Sequence, residues 1–190
     1  GAGNVAALSA LVADQDDGCL SPTARLALVP LVRQIENLEH EVTAFDRRIA
    51  QWHRGNATSR RLATIPGIGP LTASAIVASV TDPSMFRSGR EFAAFFGLVP
   101  RQSSSGGKER LGRISKMGDR YIRMLLVVGA TAVLRHARKG GSSSQAWAEA
   151  LLARKPFKVA AVALANKTAR IAWAVLTRGE VFRNAPAQAA

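Results

Sequence analysis

A chain of 190 residues that is 47% hydrophobic can bury a real core, and it suits one domain with an appendage better than two full domains. Its single cysteine, Cys19, excludes an intramolecular disulfide, no basic segment leads into an apolar run as in a signal peptide, and the longest apolar-and-small run, Met124 to Leu134, is too short to cross a bilayer. The net charge of +13 is unevenly placed: residues 101–178 hold 16 Lys/Arg against three Asp/Glu, whereas the remainder balances at ten and ten.

A neutral N-terminal arm joined to a basic body fits a polyanionic partner, because each neutralised phosphate releases counterions. Arginine supplies most of the charge, and its fork pairs bidentately with phosphate oxygens. A solvated basic surface, or arginine usage inherited from a GC-rich genome, is the plain alternative.

Gly1 to Leu20 reads as the loose end of a linker. Ser21-Pro22 then gives an N-cap with proline at the first helical position. Leu31, Ile35, Leu38, Val42, Phe45, Ile49 and Trp52 recur at alternating spacings of four and three, an unbroken heptad seam with Gly55 past its end. Pro30 is expected to kink or restart this helix. The seam predicts self-association through residues 31–52, or packing of an amphipathic helix within the chain. His40 and His53 are expected on the helix surface, and no ligand spacing suggests a metal.

"LATIPGIGPLTASAIVASV", residues 62–80, reads as two helices around a Pro-Gly-Ile-Gly turn, a helix–hairpin–helix pattern. Gly67 and Gly69 can adopt positive φ and expose backbone N–H groups at the next helix, forming a sequence-independent phosphate cradle. The same motif also fits a packing turn. Downstream, Ser88 with Glu91 opens a helix that Gly97 ends, Asp119 caps a helix from Arg120, Ser144 opens a short one, and Phe157 to Arg178 forms the last, stopped by Gly179. No alternation is long enough to predict a strand. The expected fold is all-α: residues 1–57 form a linker and coiled-coil-like helix, and residues 58–190 form a compact helical domain with the helix–hairpin–helix.

Residues 99–118 are the one long stretch of the basic body without helical periodicity. Within "SSSGGKERLGRISKMG", 103–118, glycines alternate with Lys108, Arg110, Arg113 and Lys116. Such residues can clamp the non-bridging oxygens of a phosphate, and a serine needs that kind of field to act as a nucleophile. A basic loop that only tracks a nucleic-acid backbone has the same composition.

"IPGIGPLTASAIVASV", "FRSGREFAAFFGLVPRQSSSGGKERLGRISKMGDRYIRMLLV" and "KVAAVALANKTARIAWAVLTRG" together resemble the C-terminal domain of bacterial insertion-sequence 110 family transposases, over roughly residues 60–180. The resemblance implies a DNA transposase that cuts and rejoins strands through a 5′-phosphoserine intermediate. The family's serine lies five residues after the proline of Leu-x-Pro and directly before a glycine. That position here is Ser105, counted from Pro100 and followed by Gly106. Arg101, Gly106, Gly107, Lys108, Arg110, Arg113, Ser115 and Lys116 are then expected around the phosphate, together with Gly67 and Gly69.

The family joins this domain to a RuvC-like domain whose carboxylates hold Mg²⁺, and it works as an oligomer with a guide RNA. No such carboxylate cluster is visible here, since Asp14, Asp16 and Asp17 lie in the N-terminal stretch and Glu36, Glu39, Glu41 and Asp46 on the charged side of the heptad helix. No cofactor is therefore expected within this chain, which alone should bind DNA without recombining it. The resemblance implies a bacterial cytoplasmic, nucleoid-associated location and no membrane. The alternatives are a non-catalytic helix–hairpin–helix DNA-binding module and a regulatory oligomerisation fragment.

Overall fold

The computed structural model describes residues 2–14, 18–102, 111–136 and 143–183. The fold is mainly α, as the periodicity predicts, with one short antiparallel pair of strands. The chain divides into two compact units, Gly1–Ile49 and Ala50–Ala190, with the division inside a single helix.

In the first unit, α1 (Ala2–Ala13) occupies much of the stretch expected to be a loose linker. The correction has a simple cause: alanine and leucine are strong helix formers, but they give no polar face for a periodicity argument to find. The Arg25 guanidinium donates to the carbonyls of Leu11 (2.9 Å), Val12 (3.0 Å) and Asp14. Those are the carbonyls that a helix C-terminus leaves without intrahelical donors. Ser9 donates to Glu36, and Val12 and Val32 are buried.

Helix α2 runs from Pro22 to Gly55, started by the Ser21 hydroxyl, which accepts from the Ala24 N–H at 3.2 Å. Pro30 lies inside it and does not restart it. The proline is exposed, so water can satisfy the carbonyl one turn back. Five of the seven seam residues stand open to solvent, with Leu38, Val42 and Phe45 each more than half exposed, and Ile35 and Ile49 are half-buried.

The second unit is built around α8 (Phe157–Arg178). Ala160, Ala161, Leu164, Ala165, Thr168, Ala169, Ala172 and Val175 of this helix are buried. A seam of alanines lets neighbouring helices approach closely. Against it lie α6 (Arg120–His136), whose Ile122, Leu126, Ala130 and Leu134 repeat every four residues, and α5 (Gly89–Phe95). Among the described residues α8 is the one helix long and apolar enough to span a membrane, and 44% of that apolar window is buried in the core.

Phe92 and Phe96 are fully buried, and Phe86, Phe92, Phe95 and Phe96 meet edge to face at centroid distances of 5.0–5.2 Å. Ser88 caps α5 as predicted, while Glu91 reaches back to the Arg87 N–H at 2.8 Å. Asp119 accepts from the Ile122 N–H at 2.9 Å, and Gly179 ends α8 in the left-handed conformation, φ 69°.

Helices α3 (Ala57–Leu62) and α4 (Pro70–Ser79) flank the Pro-Gly-Ile-Gly turn. His53 is not a free surface residue. It is half-buried, and its Nδ1 lies 2.7 Å from the Oγ of fully buried Ser59. Helix α7 (Ser143–Leu152) completes the unit.

Candidate nucleic-acid interface

Residues 99–118 contain a hairpin that no sequence periodicity marked. Strand β1 (Pro100–Gln102) pairs antiparallel with β2 (Leu111–Ile114), with Pro100 opposite Ile114 and Gln102 opposite Leu111. The register is irregular between those pairs, a bulge of the kind that bends a short ribbon. Strands of three and four residues are too short for period-two reasoning to register. Gln102 and its partner Leu111 flank residues 103–110 in sequence. Ser105, Gly106, Gly107, Lys108 and Arg110 lie outside the described residues.

The base of this hairpin is tightly fixed. Ser115 N–H donates to Val99 O at 2.9 Å, Lys116 N–H to Gly97 O at 3.1 Å, and the Arg101 guanidinium to Ser115 O at 3.2 Å. Arg123 of α6 donates to the carbonyls of Phe96 (3.0 Å) and Met117 (3.2 Å), and the Asn166 amide of α8 to Leu98 O at 3.1 Å. Two glycines make the turn possible. A Cβ on Gly97 (φ 69°) would stand 2.2 Å from Met117 O, and one on Gly118 (φ 80°) 1.8 Å from Phe95 O.

Between them Lys116 sits at φ 56°. For a residue with a Cβ that conformation costs about 1–2 kcal/mol. The run Arg-Ile-Ser-Lys-Met-Gly is a hydrogen-bonded return from the strand, in which the Ser115 hydroxyl accepts from the Met117 N–H at 3.4 Å. The side chains of Arg101, Arg113 and Lys116 are exposed.

Of the two turn glycines, Gly67 takes the expected positive φ, whereas Gly69 does not, at φ −91°. Gly67 has φ 87°, and a Cβ there would lie 3.0 Å from the backbone of Gly129 in α6. Its backbone packs on a helix, as the packing-turn alternative has it. Gly69 is exposed at the N-cap of α4, with nothing within 4 Å of a Cβ. Arg123, at the hairpin base, and Gly129, at this turn, are six residues apart on α6, on the order of 9 Å along its axis.

Sequence reasoning missed Gly129, Arg123 and Asn166. A glycine inside an apolar helix was the one available signal, since Gly there costs stability unless packing requires it. No group of three or more His, Cys, Asp or Glu gathers among the described residues.

Comparison with known proteins bears directly on these motifs. The family described as Transposase IS116/IS110/IS902 matches residues 59–145, from α3 through the glycine turn, the hairpin and α6 into α7. The chain belongs to this transposase family. A probable family 20 transposase of Pseudomonas aeruginosa is 44% identical over 182 residues, covering 96% of this chain and 54% of that protein. A putative transposase, y4pF/y4sB, of Sinorhizobium fredii is 47% identical over 158 residues, 83% of this chain and 41% of that one. The transposase for insertion sequence element IS1111A of Coxiella burnetii is 41% identical over 164 residues, 86% and 45% of the two chains. The chain thus spans about half the length of the relatives it matches.

Proposed function

We propose that this chain is the DNA-binding, serine-bearing part of an insertion-sequence transposase, with Ser105 as nucleophile. The observation that carries the reading is the hairpin. It pairs Gln102 with Leu111, the residues that flank 103–110 in sequence, above a base hydrogen-bonded at Gly97 and Lys116. A nucleophile must be held to within about half an ångström of its productive position, so a mount of paired strands suits that task.

In the proposed step the Ser105 Oγ attacks the scissile phosphorus, the bond to the 3′ oxygen breaks, and that oxygen leaves as a 3′ hydroxyl carrying a proton. The strand stays attached as a 5′-phosphoserine until another 3′ hydroxyl reverses the attack. Arg101, Lys108, Arg110, Arg113 and Lys116 would hold the non-bridging oxygens, Gly106 and Gly107 would allow close backbone approach, and Ser115 would keep the return strand in shape. Gly69 would add a backbone N–H to a neighbouring phosphate. The domain assignment of residues 58–190, the RuvC-like partner, any guide RNA and the bacterial nucleoid setting belong to this reading.

Binding to duplex DNA is expected to fall steeply with salt, with a log–log slope of several units, because the charge surplus lies in residues 101–178. Arg110→Gln with Arg113→Gln should flatten that slope by about two units. Titrations at several salt concentrations check this, and an unchanged slope would remove both side chains from the phosphate contacts.

The exposed seam of α2 supports self-association as part of the same reading. Leu38→Asp with Phe45→Asp is expected to yield a monomer where the parent chain sediments as an oligomer at about tens of micromolar, since charges in an apolar seam are costly. A monomeric parent would rule the interface out.

A further inference from the structure

A second basic feature adjoins the base of the hairpin through Asn166, which lines it. A cleft of about 620 Å³ opens beside the start of α5, Trp147 of α7 and one side of α8. That is the size of a small-ligand site, typically about 300–1,000 Å³. Arg90, Lys167 and Arg170 line it, and no Asp or Glu is among its lining residues.

The Lys167 ammonium sits 4.2 Å from the centroid of the Trp147 ring. Partial burial lowers its pKa from the usual lysine value. A partly desolvated cation that lies against an indole and shares its cleft with two other cations favours an entering anion. The opposite requirement comes from the apolar lining. The Trp173 ring is half-buried there, and its N–H donates to Pro83 O at 3.2 Å, which fixes its orientation. The site therefore asks for a ligand that joins an anion to a flat apolar group.

We propose that this cleft binds one nucleotide of an unpaired nucleic-acid strand, its phosphate against Lys167, Arg170 and Arg90 and its base against the wall that Trp147 and Trp173 help to form. A duplex keeps its bases stacked and paired and presents only phosphates to a concave site, whereas an unpaired strand can turn a base into it. This inference rests on the nucleic-acid reading above and extends it to a second site.

The test uses the full chain carrying Trp52→Phe, so that indole emission comes from Trp147 and Trp173 alone. The probes are 5′-phosphorylated oligothymidylate, oligouridylate of the same length, and a DNA duplex. A single strand should quench the emission, as base stacking on an indole does, and the stronger quencher of the two identifies DNA or RNA as the source. Lys167→Gln with Arg170→Gln should weaken strand binding by about tenfold or more and duplex binding by less than about threefold. Lys167→Arg, which keeps the charge, should retain the affinity and guards against a folding artefact.

Equal weakening of strand and duplex would overturn the proposal, and so would an abasic strand that binds as tightly as the intact one. Duplex binding with no strand binding would overturn it while leaving the nucleic-acid reading intact. Failure of every probe to bind would remove that reading and this site with it.

Discussion

Gly129→Ala is expected to destabilise the second unit by about 3 kcal/mol, lowering its melting temperature by roughly 6–12 °C. A Cβ built on Gly129 stands 1.8 Å from the carbonyl oxygen of Gly67 and 2.8 Å from its carbonyl carbon. Both are backbone atoms, so no side chain can swing aside. Gly67 cannot retreat easily either, because its φ of 87° is set by the turn and Ile65 and Ile68 around it are buried. The turn must therefore separate from α6, opening a core that holds Ile65, Ile68 and Leu126. Gly69→Ala is the matched control. Its added methyl meets nothing within 4 Å, and its φ of −91° is ordinary for alanine. It should melt within about 0.5 kcal/mol of the parent, so any loss of DNA affinity in that variant reports on phosphate contact. Thermal melts followed by circular dichroism distinguish the two positions.

These two glycines mark how far the sequence could be read. Capping and stop signals located α5, α6 and α8, because Ser88, Asp119 and Gly179 act through neighbours a few residues away. Local chemistry of that kind is written in local sequence. The close approach of Gly67 to Gly129 joins residues 62 positions apart, and nothing near either one announces it. The seam of α2 was legible as a pattern, yet its exposure depends on what lies opposite it, which periodicity cannot say. The hairpin escaped for another reason. The residues flanking its strands are held by tertiary partners, Arg123 on Phe96 and Met117 and Asn166 on Leu98, and the strands are too short to show alternation of their own. Of the candidate site, the motif order pointed to residues 99–118, and the mounting of that segment came only from three dimensions. The cleft of Lys167 and Trp147 was not legible as a site, although Arg90, Lys167, Arg170 and Trp173 lie within the family motifs, since it gathers side chains from three helices.

Ser105→Ala in the full-length protein is expected to abolish strand transfer, a loss of about a thousandfold or more, because a covalent step has no substitute once its nucleophile is gone. DNA affinity should stay within about twofold, since one hydroxyl adds little to an interface driven by the surplus charge of residues 101–178. Ser103→Ala and Ser104→Ala, at the two positions directly before Ser105 in sequence, should keep substantial activity. A general loss in all three variants would point to a loop that clamps phosphate without attacking it. The separation of chemistry from binding is therefore the informative quantity.

The most direct measurement is the site of covalent attachment. A suicide substrate nicked near the cleavage point, incubated with the full-length protein, should trap a protein–DNA adduct that peptide mass spectrometry maps to Ser105. The same adduct should be absent from Ser105→Ala and present in Ser103→Ala and Ser104→Ala. An adduct that persists in Ser105→Ala, or that maps to another residue, would contradict the assignment.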